Sequence, residues 1–120
     1  MKKIVVGGQM DKQDITNLVK ELVKGKMEVE SKSDIEAVLD IQSNKADYYL
    51  GACATGAGGA LGIATGMLGR DKCVSVSIPG KKMTEEEIKM EIENGKIAFG
   101  FVNYDYEKVV PIILKYILDK

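Results

Sequence analysis

The sequence predicts an α/β fold: a three-layer, doubly wound sandwich with a five-stranded parallel sheet between two layers of helices. Short apolar runs alternate five times with stretches whose apolar residues recur at helical spacing. The connections are short, as right-handed strand-helix-strand crossovers require. No linker, repeat or low-complexity segment interrupts the 120 residues, so one domain over residues 1–120 is expected.

The elements follow in order. "KIVVG" (3–7) is a buried first strand running into a Gly-Gly pair. Ile15, Leu18, Val19, Leu22 and Val23 then mark one face of a helix that Asp11 can cap and Gly25 can end. "MEVES" alternates as a strand with one wetter face does, and "SDIE" (33–36) has capping-box spacing ahead of Ile35, Val38 and Leu39. "ADYYLGA" (46–52) is the third and central strand, followed by the glycine-rich segment. "CVSVSI" (73–78), closed by Pro79-Gly80, reads as the fourth strand, and "TEEE" (84–87) opens a helix that stops near Asn94-Gly95. "IAFGFV" (97–102) is the fifth strand. A final helix carries Val109, Val110, Ile113, Leu114, Ile117 and Leu118, with Pro111 leaving its start open.

Five such units wind most simply in the strand order 2-1-3-4-5, with the switch point between strands 1 and 3. Ligands of open parallel sheets bind beyond the carboxyl ends of the strands at that point. The segments expected there are Gly7-Gly8-Gln9, Cys53 to Gly58, Pro79 to Lys82 and Asn103 to Asp105.

Composition narrows the function. Hydrophobic residues at 45% and charged residues at 29% describe an ordinary globular chain. The net charge of −1, with signs mixed and no basic stripe, argues against nucleic acid as a partner. The apolar run after the opening lysines is too short for a signal peptide, and no later stretch approaches a membrane span. A cytoplasmic protein without membrane insertion is expected. Two cysteines make no disulfide framework, and the lack of histidine removes the common zinc sets and the Ser-His and Cys-His pairs. Neither a metal nor a cofactor is expected; catalysis would fall to a thiol, a carboxylate or a lysine.

Residues 46–69 hold seven of the thirteen glycines. "CATGAG" (53–58) stands between a strand and a helix, where glycines let backbone N–H groups converge and the helix start adds partial positive charge. Gly56, Ala57 and Gly58, with the Thr55 hydroxyl, therefore form a candidate cradle for a phosphate or carboxylate. Gly8, Gln9 and Lys81 are candidate contacts from the neighbouring loops, and Lys82 beside Lys81 is also placed to meet an anion; Asp11 reads as a helix cap, and Tyr104 and Asp105 could stand at the rim. Cys53 has two readings, a thiolate stabilised by backbone dipoles and a small residue filling a tight turn. Cys73 reads as core, and Arg70 as a cation at the end of the glycine-rich helix. Gly59, Gly62 and Gly66 line one helical stripe that permits close packing on the sheet or on another helix. A homodimer with that helix near the interface is expected.

Two resemblances add to this. "MKKIVVGG", "ADYYLGACATGAGGAL", "GKIAFG" (95–100) and "VVPIIL" resemble a small bacterial family of uncharacterised, glycine-rich, YhfU-like domains. Its pattern is matched by Asp47, Tyr48, Tyr49, Gly51, Ala52, Cys53, Thr55, Gly56, Ala57 and Gly58. Members tend to be encoded near a transporter and pyridoxal-phosphate-type enzymes, which implies metabolism of a small molecule. The loop is also similar to the Cys-Gly-Thr-Gly-x-Gly loop of B-type ribose-5-phosphate isomerases, through Cys53, Thr55, Gly56 and Gly58, with Ala54 replacing a glycine. That likeness implies a cysteine that moves a proton on a sugar and a loop that stabilises the enediolate oxygen. "GGQMD" stands where those enzymes carry Asp-His after the first strand, and "IATGMLG" where they carry Asn-Lys. The expected function is binding of a small anionic metabolite, phosphorylated or carboxylate, at Cys53–Gly58; isomerase-like chemistry by Cys53 is one reading of that site, and whether any reaction is catalysed stays open. The alternative is a non-catalytic sensor or accessory subunit of a transporter or metabolic enzyme.

Overall fold

The computed structural model describes residues 1–56 and 59–120. The chain runs β1 (Lys3–Gly8), α1 (Lys12–Val23), β2 (Glu28–Ser31), α2 (Asp34–Gln42), β3 (Tyr48–Cys53), α3 (Gly59–Leu68), β4 (Cys73–Ser75), β5 (Ser77–Ile78), β6 (Lys81–Lys82), α4 (Glu85–Glu93), β7 (Ala98–Val102) and α5 (Tyr106–Leu118). Five parallel strands form the sheet in the order β2-β1-β3-β7-β4. The α/β class and the switch point between the first and third strands are as expected.

Strand alternation divides the core into two faces. Ile4, Val6, Leu50, Phe99 and Phe101 meet α1, α4 and α5. Val5, Tyr49 and Ala98 meet α2 and α3. The first face is bulky, with two phenylalanines, whereas on the second the Tyr49 ring stands among small residues. Gly7, Gly51 and Gly100 stand opposite one another on β1, β3 and β7, and Ser75 of β4 continues the row.

The order of the last two strands corrects the expectation of 2-1-3-4-5: counted along the main sheet, the order is 2-1-3-5-4. The strand 98–102 is buried along its whole length and belongs in the interior of the sheet. Residues 73–78 carry serines and enter the sheet only over Cys73–Ser75. A second reason lies at Gly100, where a Cβ would stand 2.7 Å from the Gly56 carbonyl oxygen and 2.9 Å from Leu61 Cβ. The strand beside β3 must let the loop after β3 cross it closely, and 73–78 has no glycine to allow that.

The expected fourth strand is likewise shorter than 73–78. Beyond Ser75 the chain leaves the ladder, and β5 turns through Pro79-Gly80 into an antiparallel hairpin with β6. Ser77 Oγ accepts the Val102 N–H at 2.8 Å, a side chain taking the place of a neighbouring strand. The sheet margins are therefore a three-residue β4 on one side and a four-residue, glutamate-bearing β2 on the other.

Three local expectations are also revised. Asp11 takes the left-handed conformation before α1 and makes no side-chain cap. Its Oδ2 instead accepts from Asn103 Nδ2 at 3.2 Å, tying the loop after β1 to the loop after β7. Ile35 and Leu39 lie on the outer side of α2, at 57% and 44% exposure, because Ala37, Val38 and Ile41 fill its inner side. On the α3 stripe, Gly62 and Gly66 do not pack on the protein's own sheet: both are exposed, and a Cβ on Gly66 would meet nothing within 4 Å. Leu61 and Ala64 make that contact instead. Pro111 is accommodated inside α5, where the carbonyl that loses its partner belongs to the exposed residue Glu107.

Candidate functional site

The carboxyl ends of β1, β3 and β7 meet at the switch point. On β3, Tyr49, Gly51 and Cys53 point to the face shared with α2 and α3. The Tyr49 ring lies back along the sheet over the glycine row. A Cβ on Gly51 would be 2.6 Å from the phenol oxygen, and one on Gly7 would be 2.7 Å from the ring edge. These glycines serve a close approach rather than a turn: any side chain there would displace the ring.

The ring is fully buried, so its hydroxyl needs a partner. It donates to Asp34 Oδ1 at 3.0 Å. The same oxygen accepts the Gly8 N–H, and Gly8 itself has a φ of +86° with no room for a Cβ beside Ala52. Burial, reinforced by the Asp34 charge and by its hydrogen bond, drives the Tyr49 phenol far above its usual range; it stays a neutral donor.

Cys53 ends β3, is 5% exposed and is not in a disulfide. Its Sγ accepts the Gly56 N–H at 3.1 Å and stands 3.7 Å from Thr55 Oγ1. An N–H directed at sulfur favours the thiolate, the form that acts as base or nucleophile. Gly56 is required twice over, by its φ of +78° and by Ser77 O, which an added Cβ would approach to 1.9 Å. Its carbonyl accepts from Ser75 Oγ at 3.1 Å. Both backbone groups of Gly56 are thus engaged inside the protein, which makes this glycine a support for Cys53. Ala57 and Gly58 lie outside the described residues.

The other candidates divide. Gly8 and Gln9 stand at the switch point, but the Gly8 N–H serves Asp34 and the Gln9 N–H bonds Ala52 O at 3.0 Å; only the Gln9 side chain is exposed. Thr55 is exposed beside Cys53. Lys81 lies on the β5–β6 hairpin and lines a cavity of about 190 Å³ with Ser75, Ser77, Met83 and Glu87. Tyr104 is 64% exposed, whereas Asp105 is buried in the turn before α5. Cys73 is core, and burial pushes its thiol up. Among the described residues, no cluster of acidic or cysteine side chains could hold a metal, and no helix is long and apolar enough to cross a membrane.

Asp34 was not among the residues expected at the site. Its sequence neighbourhood reads only as a helix start. The available signal was indirect: two tyrosines in an otherwise apolar strand, with glycines in this strand and in the first.

The fold is an open α/β sandwich similar to that of two ribose-5-phosphate isomerases B. The chain superposes on such an isomerase from Thermotoga maritima with a TM-score of 0.69 and 19% identity, over 97% of this chain and 86% of that one. Another from Giardia lamblia gives 0.66 and 19%, over 98% and 87%. The chain itself belongs to the family described as protein of unknown function DUF2620, whose model matches residues 2–117. It is 37% identical over 117 residues to the uncharacterized protein YhfU of Escherichia coli K12, covering 98% of this chain and 99% of that protein, and equally similar to YhfU of Shigella flexneri.

Proposed function

We propose that this protein binds a small phosphorylated sugar, or a metabolite of like charge and size, beyond the carboxyl ends of β1, β3 and β7. Cys53 then acts as the base that takes a proton from the carbon beside a carbonyl. The observation that carries this reading is the sulfur of Cys53 at the end of a central strand, receiving the Gly56 N–H at 3.1 Å. Such a reaction needs a base and an anion cradle at one place, because negative charge develops on the carbonyl oxygen as the proton leaves. The loop's likeness to that of the B-type isomerases supports the same chemistry, and the shared architecture supplies the same setting for it.

Thermal unfolding with ribose 5-phosphate, ribulose 5-phosphate and inorganic phosphate tests binding. A ligand at a hundredfold excess over its Kd stabilises the fold by about 2.7 kcal/mol. Proton NMR in D2O tests the chemistry, through deuterium entering the carbon next to the carbonyl and its loss in Cys53→Ser. Binding without exchange would identify a sensor or accessory subunit instead. No stabilisation by any of the three would overturn the proposal.

A further inference from the structure

Asp34 is half-buried at the switch point, and its carboxylate is held from one side only. Oδ1 accepts both the Tyr49 hydroxyl and the Gly8 N–H, while no described residue bonds Oδ2. A packed core has little need of this arrangement. Phenylalanine would fill the space of Tyr49 without a buried hydroxyl, and residues with side chains at 7 and 51 would make a more ordinary strand pair. Two glycines and a buried phenol are instead arranged so that a single carboxylate is fixed in one orientation. The glycine row also places the carboxylate on the Cys53 face of β3. Asp34 Oδ1 lies 3.0 Å from where a Gly7 Cβ would stand, and Gly7 is the register partner of Gly51. Two residues of strand, about 6.6 Å, separate Gly51 from Cys53 on the same face. The carboxylate and the thiol thus lie on the same face, at the carboxyl end of the sheet.

We propose that Asp34 is the hydroxyl-binding residue of the Cys53 site, accepting a hydrogen bond from a polyhydroxylated ligand through Oδ2, with Tyr49 as its positioning residue. The ligand class is then a sugar phosphate rather than a simple carboxylate or phosphate. The inference rests on the binding reading above and makes it more specific. A fixed acceptor is effective because its orientation is set before the ligand arrives.

The test compares affinities for ribose 5-phosphate and inorganic phosphate by calorimetry, in the wild type, Asp34→Asn and Tyr49→Phe. Asparagine keeps an oxygen for both internal donors, and phenylalanine keeps the packing, so both variants should fold; circular dichroism checks this. The expected result is a wild type that prefers ribose 5-phosphate, a tenfold or greater loss of that affinity in Asp34→Asn, a smaller loss in Tyr49→Phe, and phosphate affinity unchanged in both. A purely structural role for Tyr49 would weaken both ligands alike and would overturn its part. Equal affinity of the wild type for the two ligands, or Asp34→Asn binding ribose 5-phosphate normally, overturns the inference while leaving the anion site standing. Failure of the wild type to bind either ligand removes both.

Discussion

Gly51→Ala should be among the most damaging single-methyl additions in the sheet. The new Cβ would stand 2.6 Å from the Tyr49 oxygen and 2.9 Å from two ring carbons, against ordinary carbon contacts of about 3.5–4.0 Å. The ring must therefore move by about an ångström. It cannot do so freely, because Gly7 stands close on its other side and the residue is fully buried. Overpacking of this kind costs ~1–3 kcal/mol. The upper half of that range is expected, since the displaced hydroxyl also loses Asp34, a bond with a net contribution of about 1 kcal/mol. Urea unfolding would show it as a lower midpoint with an unchanged slope. The decisive measurement is a double-mutant cycle. Tyr49→Ala alone should cost about 3–5 kcal/mol by leaving a cavity. In the double variant the added methyl enters that vacated space, so the combined loss falls short of the sum by ~1–3 kcal/mol. Additivity within ~0.5 kcal/mol would refute the placement of the ring over the glycine row.

Gly62→Leu adds a side chain on the exposed face of α3. The protomer should keep its unfolding midpoint within the ~0.5 kcal/mol typical of surface changes, and light scattering should show a wild-type dimer dissociating. A wild-type monomer at high concentration rules out the dimer. Iodoacetamide at pH 8 should modify Cys53, whose sulfur receives the Gly56 N–H, faster than Cys73; slow and equal rates would make Cys53 a packing residue. The Asp40 carboxyl, hydrogen-bonded to Lys32 Nζ at 2.5 Å, is held below its ordinary 3.8. Its contribution is present in full above that pH and is lost as the pH falls through the lower folded value. Asp40→Asn should therefore flatten the acid limb of the stability curve and leave its shape near neutrality unchanged; an identical acid limb would refute the pairing.

The fold class was legible because period-2 and period-3.6 patterns are local, and the positions of most strands and helices follow from them. The order of the last two strands was not, because it depends on which strand can lie under the Gly56 carbonyl, a contact between residues 44 positions apart. Cys53 could be found from its place between a strand and a glycine-rich turn. The use of Gly56 could not, since sequence shows a free N–H where the fold directs it to sulfur. Asp34 was hidden for a related reason. Asp34 opens α2 while its partners Gly8 and Tyr49 come from two strands, and only the assembled fold brings the three together.

The two short margins of the sheet bear on how this protein behaves in a crowded solution. A parallel sheet with a long apolar border offers its unpaired amides and carbonyls to any extended chain nearby. Here one border is only Cys73–Ser75, after which the chain turns away and Ser77 closes the next ladder position. The other is Glu28–Ser31, guarded by Glu28 and Glu30, with Lys3 bound to Glu30 across it. Neither gives an incoming strand enough register to hold. Larger assemblies of this protein are thereby directed to its helical surfaces, and a variant that lengthened β4 by a few apolar residues would be the one to watch for fibres.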